Sequence, residues 1–256
     1  MDLQIKEVSE ALAGERRRMK INKMVRGCVP SLMKRMGRTI WRYFKQSRGR
    51  TRLYSREELH QYWKNPSDVT DDPRDYLKRA ARSEFLVELM RPYVDSQDHI
   101  LEIGCNAGRN LHFLWNAHFE HLSGIEINTD ALALLKREFP DMASAIRLWN
   151  APVEDIICDI PSGDVDVTFT MATLEHIHPD SEGLFEEMAR VTKKYIFTVE
   201  DEGTVSARHV PRDYSKVFPR LGFELVKTIE GAAVQEAGLP RSFRARVFAR
   251  RWEDAG

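Results

Sequence analysis

Residues 100–110, Ile100-Leu101-Glu102-Ile103-Gly104-Cys105-Asn106-Ala107-Gly108-Arg109-Asn110, constrain this chain more than any other stretch. An apolar, strand-like run carrying one carboxylate passes through a turn with two glycines into an apolar helical run, Leu111, Phe113, Leu114 and Phe119. Glycines in such a turn let the backbone approach a ligand, and the start of the helix offers unpaired amide donors. A parallel sheet builds a nucleotide pocket in this way. An ordinary strand-to-helix turn has the same local pattern, so the surrounding chain must decide between them.

From residue 98 onward the periodicity alternates between strand and helix. Strands are predicted over 99–103, 122–127, 145–149, 165–171 and 195–199, and helices over 108–117, 129–139 and 184–191. A further helix is predicted over 77–90, where Phe85, Leu86, Leu89 and Met90 form one stripe and Pro92 ends it. Helical crossovers of this length imply a parallel sheet covered on both faces. The end of the chain departs from that rhythm. A helix over 211–221 leads to strands 223–229 and 243–250, separated by a loop with Gly and Pro, which suggests an antiparallel strand at the sheet's edge.

Equal numbers of basic and acidic residues, 39 each, hide an asymmetry. Residues 1–60 carry about ten more basic than acidic groups, and the rest carries the matching acidic excess. The acidic part disfavours nucleic acid as a partner of the main domain. Beyond Pro30, Leu32, Met33, Met36, Ile40, Tyr43 and Phe44 recur at helical spacing opposite Lys34, Arg35, Arg38, Arg42 and Lys45. A basic amphipathic helix over 30–46 can pack on its own domain, bind a partner, contact RNA or lie on an anionic membrane. The expected division is a basic helical arm, 1–53, and an α/β domain with an N-terminal lid segment, 54–256.

The three cysteines, Cys28, Cys105 and Cys158, have no ligand spacing, so no metal site or disulfide framework is expected. No apolar stretch approaches a bilayer span, and the N-terminus lacks the charged-then-apolar order of a secretory signal. A cytoplasmic protein is expected, with the arm able to hold it at the inner face of a membrane.

Glu126 stands at the end of the second strand, about twenty residues past the first glycine, where a carboxylate can take both hydroxyls of a ribose. Arg109 occupies the place of the third glycine of a nicotinamide-binding turn, which disfavours a dehydrogenase. With Trp149-Asn150-Ala151-Pro152-Val153-Glu154-Asp155 and Thr170-Met171-Ala172-Thr173-Leu174-Glu175-His176-Ile177, residues 75–250 resemble a class I S-adenosylmethionine-dependent methyltransferase. The resemblance implies a doubly wound, mostly parallel seven-stranded sheet with one antiparallel strand near its edge, and S-adenosylmethionine as cofactor. It implies that Gly104 and Gly108 meet the methionine portion and that Glu102 attracts its ammonium group. Glu126 would hold the ribose, Ile127 the adenine face, Asn150 and Ala151 its rim, and Thr170 and Met171 the sulfonium. Asn106 replaces a frequent glycine, a change that asparagine's tolerance of left-handed backbone permits. Asn150 replaces a frequent aspartate.

Candidates for a general base are Glu175, His176 and His178, with histidine favoured by its titration near neutral pH. His209 is another, against the reading of a solvated loop histidine. Methyltransferases of DNA amines resemble one another in an Asn/Asp-Pro-Pro-aromatic run after the fourth strand, which this chain lacks. The expected acceptor is therefore a small molecule or a sugar or glycan, lipid-linked ones included, methylated at oxygen. A lid is expected from 54–82 and 201–215, with Arg208, Arg212 and Lys216 receiving an anionic group. An RNA- or protein-modifying enzyme, or a binding protein without catalysis, are the alternatives.

Overall fold

The computed structural model describes residues 52–68 and 71–251. The helix predicted over 30–46 lies outside them. The first helix, α1 (Arg56–Lys64), opens on a reciprocal cap: the Ser55 hydroxyl accepts from the Glu58 amide, and the Glu58 carboxylate accepts from the Ser55 amide. Helix α2 (Pro73–Leu77) follows, then α3 (Ala80–Met90). The single helix predicted over 77–90 is thus interrupted, because Arg79 leaves the helical region (φ −96°, ψ 50°).

The sheet region then runs β1 (Ile100–Ile103), α4 (Arg109–Asn116), β2 (Leu122–Glu126), α5 (Thr129–Glu138), α6 (Pro140–Ala145), β3 (Arg147–Asn150), α7 (Val153–Ile156), β4 (Val165–Met171), α8 (Leu184–Val191) and β5 (Thr192–Asp201). It closes with β6 (Phe223–Ile229), α9 (Ala232–Glu236) and β7 (Phe243–Arg250). The spatial order is β3-β2-β1-β4-β5-β7-β6. Strands β1 to β5 pair in parallel, and β7 runs antiparallel to both β5 and β6. The late antiparallel strand therefore slots in one place from the edge.

Two predicted elements change. The helix expected over 211–221 is a pair of short 3-10 turns, Tyr214–Lys216 and Phe218–Arg220, since Pro219 disfavours helical backbone at the residue before it. Strand β5 extends to Asp201, past the predicted end at Val199. Glu200 and Asp201 are paired with Arg244 and Phe243 of β7, so two acidic residues that look like loop are held in the ladder.

Alternate residues of each strand feed two apolar layers. Ile100, Val167, Phe169, Phe197 and Val199 pack against Leu86, Leu89 and Met90 of α3 and Leu111 and Leu114 of α4. Leu101, Ile103, Ile125 and Ile196 pack on the opposite face against Leu184, Phe185 and Met188 of α8 and against Tyr214 and Phe218. Strand β1 is buried throughout, as a central parallel strand covered by helices must be. Each such Leu, Ile or Phe contributes about 1.5–3 kcal/mol of burial. The chain winds from β1 to β2 in one direction and reaches β4 on β1's other side. This leaves a crevice at the carboxyl ends of β1 and β4.

Candidate active site

A cavity of about 1080 Å³, open solvent at its mouth included, occupies that crevice. Its wall takes residues from the carboxyl ends of β1, β2, β3 and β4 and from the helices before the sheet.

At β1, Glu102 is fully buried. Its Oε1 accepts from Asn110 Nδ2 at 2.7 Å, while Oε2 has no hydrogen-bond partner. Burial pushes its carboxyl up to about 8, against the pull of Asn110 and Arg109. Arg109 lines the same wall. Its guanidinium donates to Ser83 Oγ (2.7 Å), the Tyr76 carbonyl (2.8 Å) and Asn110 Oδ1 (2.9 Å), and burial lowers it to about 10. The side chain at the third-glycine position thus ties α2 and α3 to the turn. A fourth N–H faces Met171 Sδ at 3.5 Å, and the one remaining donor, on Nη1, can face an anionic group beside the one that Glu102 awaits. Sequence reasoning used Arg109 only to exclude a reading, although a cation next to a glycine turn could have been a signal in itself.

Gly104 has φ +77°, and a Cβ there would lie 2.3 Å from Thr173 Oγ1. Gly108 has φ +75°, and a Cβ there would lie 2.5 Å from Leu135 Cδ1 of α5. Gly104 is in the cavity wall and Gly108 is not. Gly104 therefore keeps the place expected of a residue that meets a ligand, while Gly108, outside the wall, clears Leu135. Asn106 is left-handed at φ 47°, as its position requires.

Glu126, at the end of β2, accepts backbone amides on both oxygens, Asn128 N on Oε1 and Asn106 N on Oε2, each at 2.8 Å. Burial raises its carboxyl, and these amides together with that of Ile127 pull it back. Two oxygens held rigidly in the wall, each with acceptor capacity left, suit a pair of vicinal hydroxyls. Ile127 and Ala151 line the cavity. Asn150 does not: its Oδ1 accepts from Thr129 Oγ1 (2.7 Å) and its Nδ2 donates to the Glu126 carbonyl (2.9 Å). It braces β2 and β3, and the cavity wall beside it is formed by Ala151, Pro152, Val153 and Glu154.

At β4, Met171 is in the wall, but Thr170 is buried in the sheet outside it. The turn Leu174–His176 is drawn onto the end of β5 by Glu200, whose Oε2 accepts the amides of Thr173 and Glu175.

The candidate bases part company here. Glu175 lies outside the cavity wall, buried, with Oε2 accepting the Asp201 amide. Burial and the neighbouring Glu200 push its carboxyl far up, which keeps it protonated and unfit as a base at neutral pH. His178 lines the cavity, but its Nδ1 accepts the Asp180 amide at 3.1 Å and caps the turn Pro179–Ser181. In the neutral ring Nε2 then carries the proton and cannot receive one. His176 lines the cavity with Nδ1 2.9 Å from the Arg208 carbonyl, which can only accept, so Nε2 keeps a lone pair. Burial depresses its pKa to about 3, so it is a neutral ligand and acceptor rather than a group that retains a whole proton. His209 is half-buried with its ring 4.6 Å from that of His176, not a solvated loop histidine.

The lid expected from two segments is built into the cavity by one. Arg56, Leu59, His60 and Trp63 project from one face of α1 into the wall, with Pro66, Asp71 and Tyr76 following. His60 Nε2 is 3.2 Å from Glu154 Oε1, and the Trp63 ring lies 4.4 Å from His176. Residues 201–215 back this lid from outside. Arg208 donates to Asp71 at 2.6 Å and lies over the Tyr62 ring. The expected anion receptor is therefore corrected. Arg208 is engaged by Asp71, Lys216 is paired with Asp213, and Arg212 donates to the carbonyls of Leu174 (3.0 Å) and Ile177 (2.7 Å). The i, i+3, i+4, i+7 spacing on α1 was a legible signal that the aromatic, turn-rich look of 56–76 obscured.

Residues 100–195 match a family profile described as a methyltransferase domain. No curated protein matches the chain in sequence. Among solved structures the chain is similar to the [4+2]-cyclase SpnF, at 10% identity and TM-score 0.59 over 79% of this chain and 99% of that one. It is similar to geranyl diphosphate C-methyltransferase from Streptomyces coelicolor A3(2) in complex with Mg2+, geranyl diphosphate and S-adenosyl-L-homocysteine (14%, TM-score 0.56, 77% and 98%). It is also similar to magnesium protoporphyrin IX methyltransferase from Synechocystis PCC 6803 with bound S-adenosylmethionine (11%, TM-score 0.57, 79% and 100%). At these identities the likeness is one of fold, and a cyclase among the neighbours shows that the fold hosts more than one reaction.

Proposed function

We propose, from the premise that this chain carries a class I S-adenosylmethionine-dependent methyltransferase domain, that it methylates an oxygen of a small-molecule or sugar acceptor. The cofactor's groups fit the wall. The unpartnered Glu102 Oε2 suits an ammonium, the remaining Arg109 donor suits the adjoining carboxylate, and the two oxygens of Glu126 suit the ribose hydroxyls. When bound, the cofactor supplies a methyl carbon on a positive sulfur. The protein's remaining tasks are alignment, exclusion of water and management of the acceptor's proton.

The observation that carries the acceptor reading is the roof. Helix α1 lies along the cavity wall and sets Trp63 against His176, leaving a partly roofed, mostly apolar space of small-molecule size. An acceptor hydroxyl donating to His176 Nε2 would be oriented there with its lone pairs toward the donor side. The test is transfer of labelled methyl over a panel of sugars, phenols, lipid-linked glycans, tRNA and peptides. Turnover on a small hydroxyl compound, lost in His176→Ala with S-adenosylhomocysteine binding retained, is the expected result. Transfer confined to tRNA or protein would contradict the reading.

A further inference from the structure

His176 does not stand alone behind the lid. Its Nε2 lies 3.7 Å from Glu175 Oε1, and His209 Nε2 lies 3.8 Å from the same oxygen. The ligand atoms of the three residues all fall within 4.8 Å of one another. We infer that Glu175, His176 and His209 form a binding site for a divalent first-row transition cation, at the acceptor end of the cavity. The inference rests on the reading of His176 as the residue that meets the acceptor.

The far side of each ligand is already held. His176 Nδ1 donates to the Arg208 carbonyl at 2.9 Å, His209 Nδ1 is 2.7 Å from Ser206 Oγ, and Glu175 Oε2 accepts the Asp201 amide. Metal-bound imidazoles are oriented in this way, by a hydrogen bond at the nitrogen that does not ligate. Two elements are locked together to bring the set into one place, because the Val210 amide donates to the Glu175 carbonyl at 2.8 Å. Bonds of about 2.0–2.1 Å to imidazole and carboxylate put ligand atoms roughly 3.3 Å apart in a tetrahedral site. The two separations from Glu175 Oε1 need to contract by about half an ångström, and that between the two imidazoles, within 4.8 Å, by up to about 1.5 Å, which rotation of the two rings supplies.

Two imidazoles and one carboxylate, the Glu175 proton being released as the cation binds, favour zinc, cobalt or iron(II) over magnesium, and three protein ligands leave at least one position open. His176 is in the cavity wall, with Glu175 and His209 immediately behind it, so an open position next to His176 is where an acceptor oxygen could bind. With the cation bound, His176 Nε2 is its ligand and no longer the hydroxyl's acceptor, and the acceptor oxygen meets the cation in its place. Glu175, His176 and His209 stand in the sequence as separate candidate bases and not as a ligand set. The cysteines were the wrong place to look, and His209 is 33 residues from His176.

The test uses the full-length chain, free of any histidine tag and stripped by chelator. It is titrated with Co2+ while visible absorption is followed, and Zn2+ is then added in competition. The inference expects one equivalent bound with a four- or five-coordinate spectrum. His176→Asn and His209→Gln should each weaken binding by more than the roughly 10–100-fold that loss of an orienting partner costs, and Ser206→Ala should fall within that range. S-adenosylhomocysteine affinity, measured on every variant by calorimetry, reports folding and tests the cofactor reading separately. It should hold for His209→Gln and Ser206→Ala. Absence of binding by the wild type, or equal binding by the wild type and both histidine variants, overturns the site.

Discussion

At the scale of single residues, the cavity wall was legible wherever a side chain's position follows from its place at a strand end. Glu102 and Glu126 are such residues, each a carboxylate in an apolar run. Asn150 and Thr170 were misassigned because their direction depends on neighbours that the sequence does not display: the Thr129 hydroxyl for one, the face of β4 for the other. Glu102 carries a pH prediction. Its folded-state carboxyl, raised to about 8, holds a proton that the unfolded chain releases at the ordinary carboxylate value, so apo stability falls as pH rises between about 4.5 and 8. Glu102→Gln should flatten that slope in thermal melts. In the wild type, an incoming ammonium requires the ionised carboxylate, so binding of S-adenosylhomocysteine near pH 6–7 should release about one proton, measured by calorimetry in buffers of different ionisation enthalpy. Gly104→Ala makes a second prediction. Left-handed backbone costs an L-residue about 1–2 kcal/mol, to which contact with Thr173 adds, and adding Thr173→Ala should recover only the contact part in a double-mutant cycle.

At the scale of elements, regular periodicity was a dependable guide. Strand β4 and helix α8 fall where the apolar pattern puts them, since both are amphipathic or buried over their whole length. Elements cut by proline or charge were not. The turns at 214–220 break at Pro219, and β5 continues through two acids that pair with β7. Helix α1 was missed as an element although it roofs the site. Its contribution can be measured with Trp63→Ala, which removes the ring lying on His176. KM for the acceptor should rise while S-adenosylhomocysteine affinity stays within about twofold, a change near 0.4 kcal/mol. A parallel loss of both would mean that α1 organises the whole cavity.

For the molecule as a whole, the doubly wound sheet was readable from the alternation of elements, and the position of β7 from the missing crossover before it. The basic arm was readable only as a charge pattern, which is compatible with several uses. Residues 51–256 form one compact unit with the entire described core inside it, so deletion of residues 1–50 should leave melting temperature and cofactor affinity unchanged. Loss of co-sedimentation with anionic vesicles at low salt on the same deletion is expected of an arm that docks on a membrane. Among the described residues no helix is long and apolar enough to cross one. The proposed function depends most on Glu126, the carboxylate at the end of β2 proposed to hold the ribose. Calorimetry of S-adenosylmethionine with the wild-type chain and with Glu126→Ala tests it directly. Saturable one-to-one binding, weakened by at least about tenfold (1.4 kcal/mol) in the variant, is the predicted result. Absence of binding by the wild type, or equal affinity of the two proteins, would contradict it.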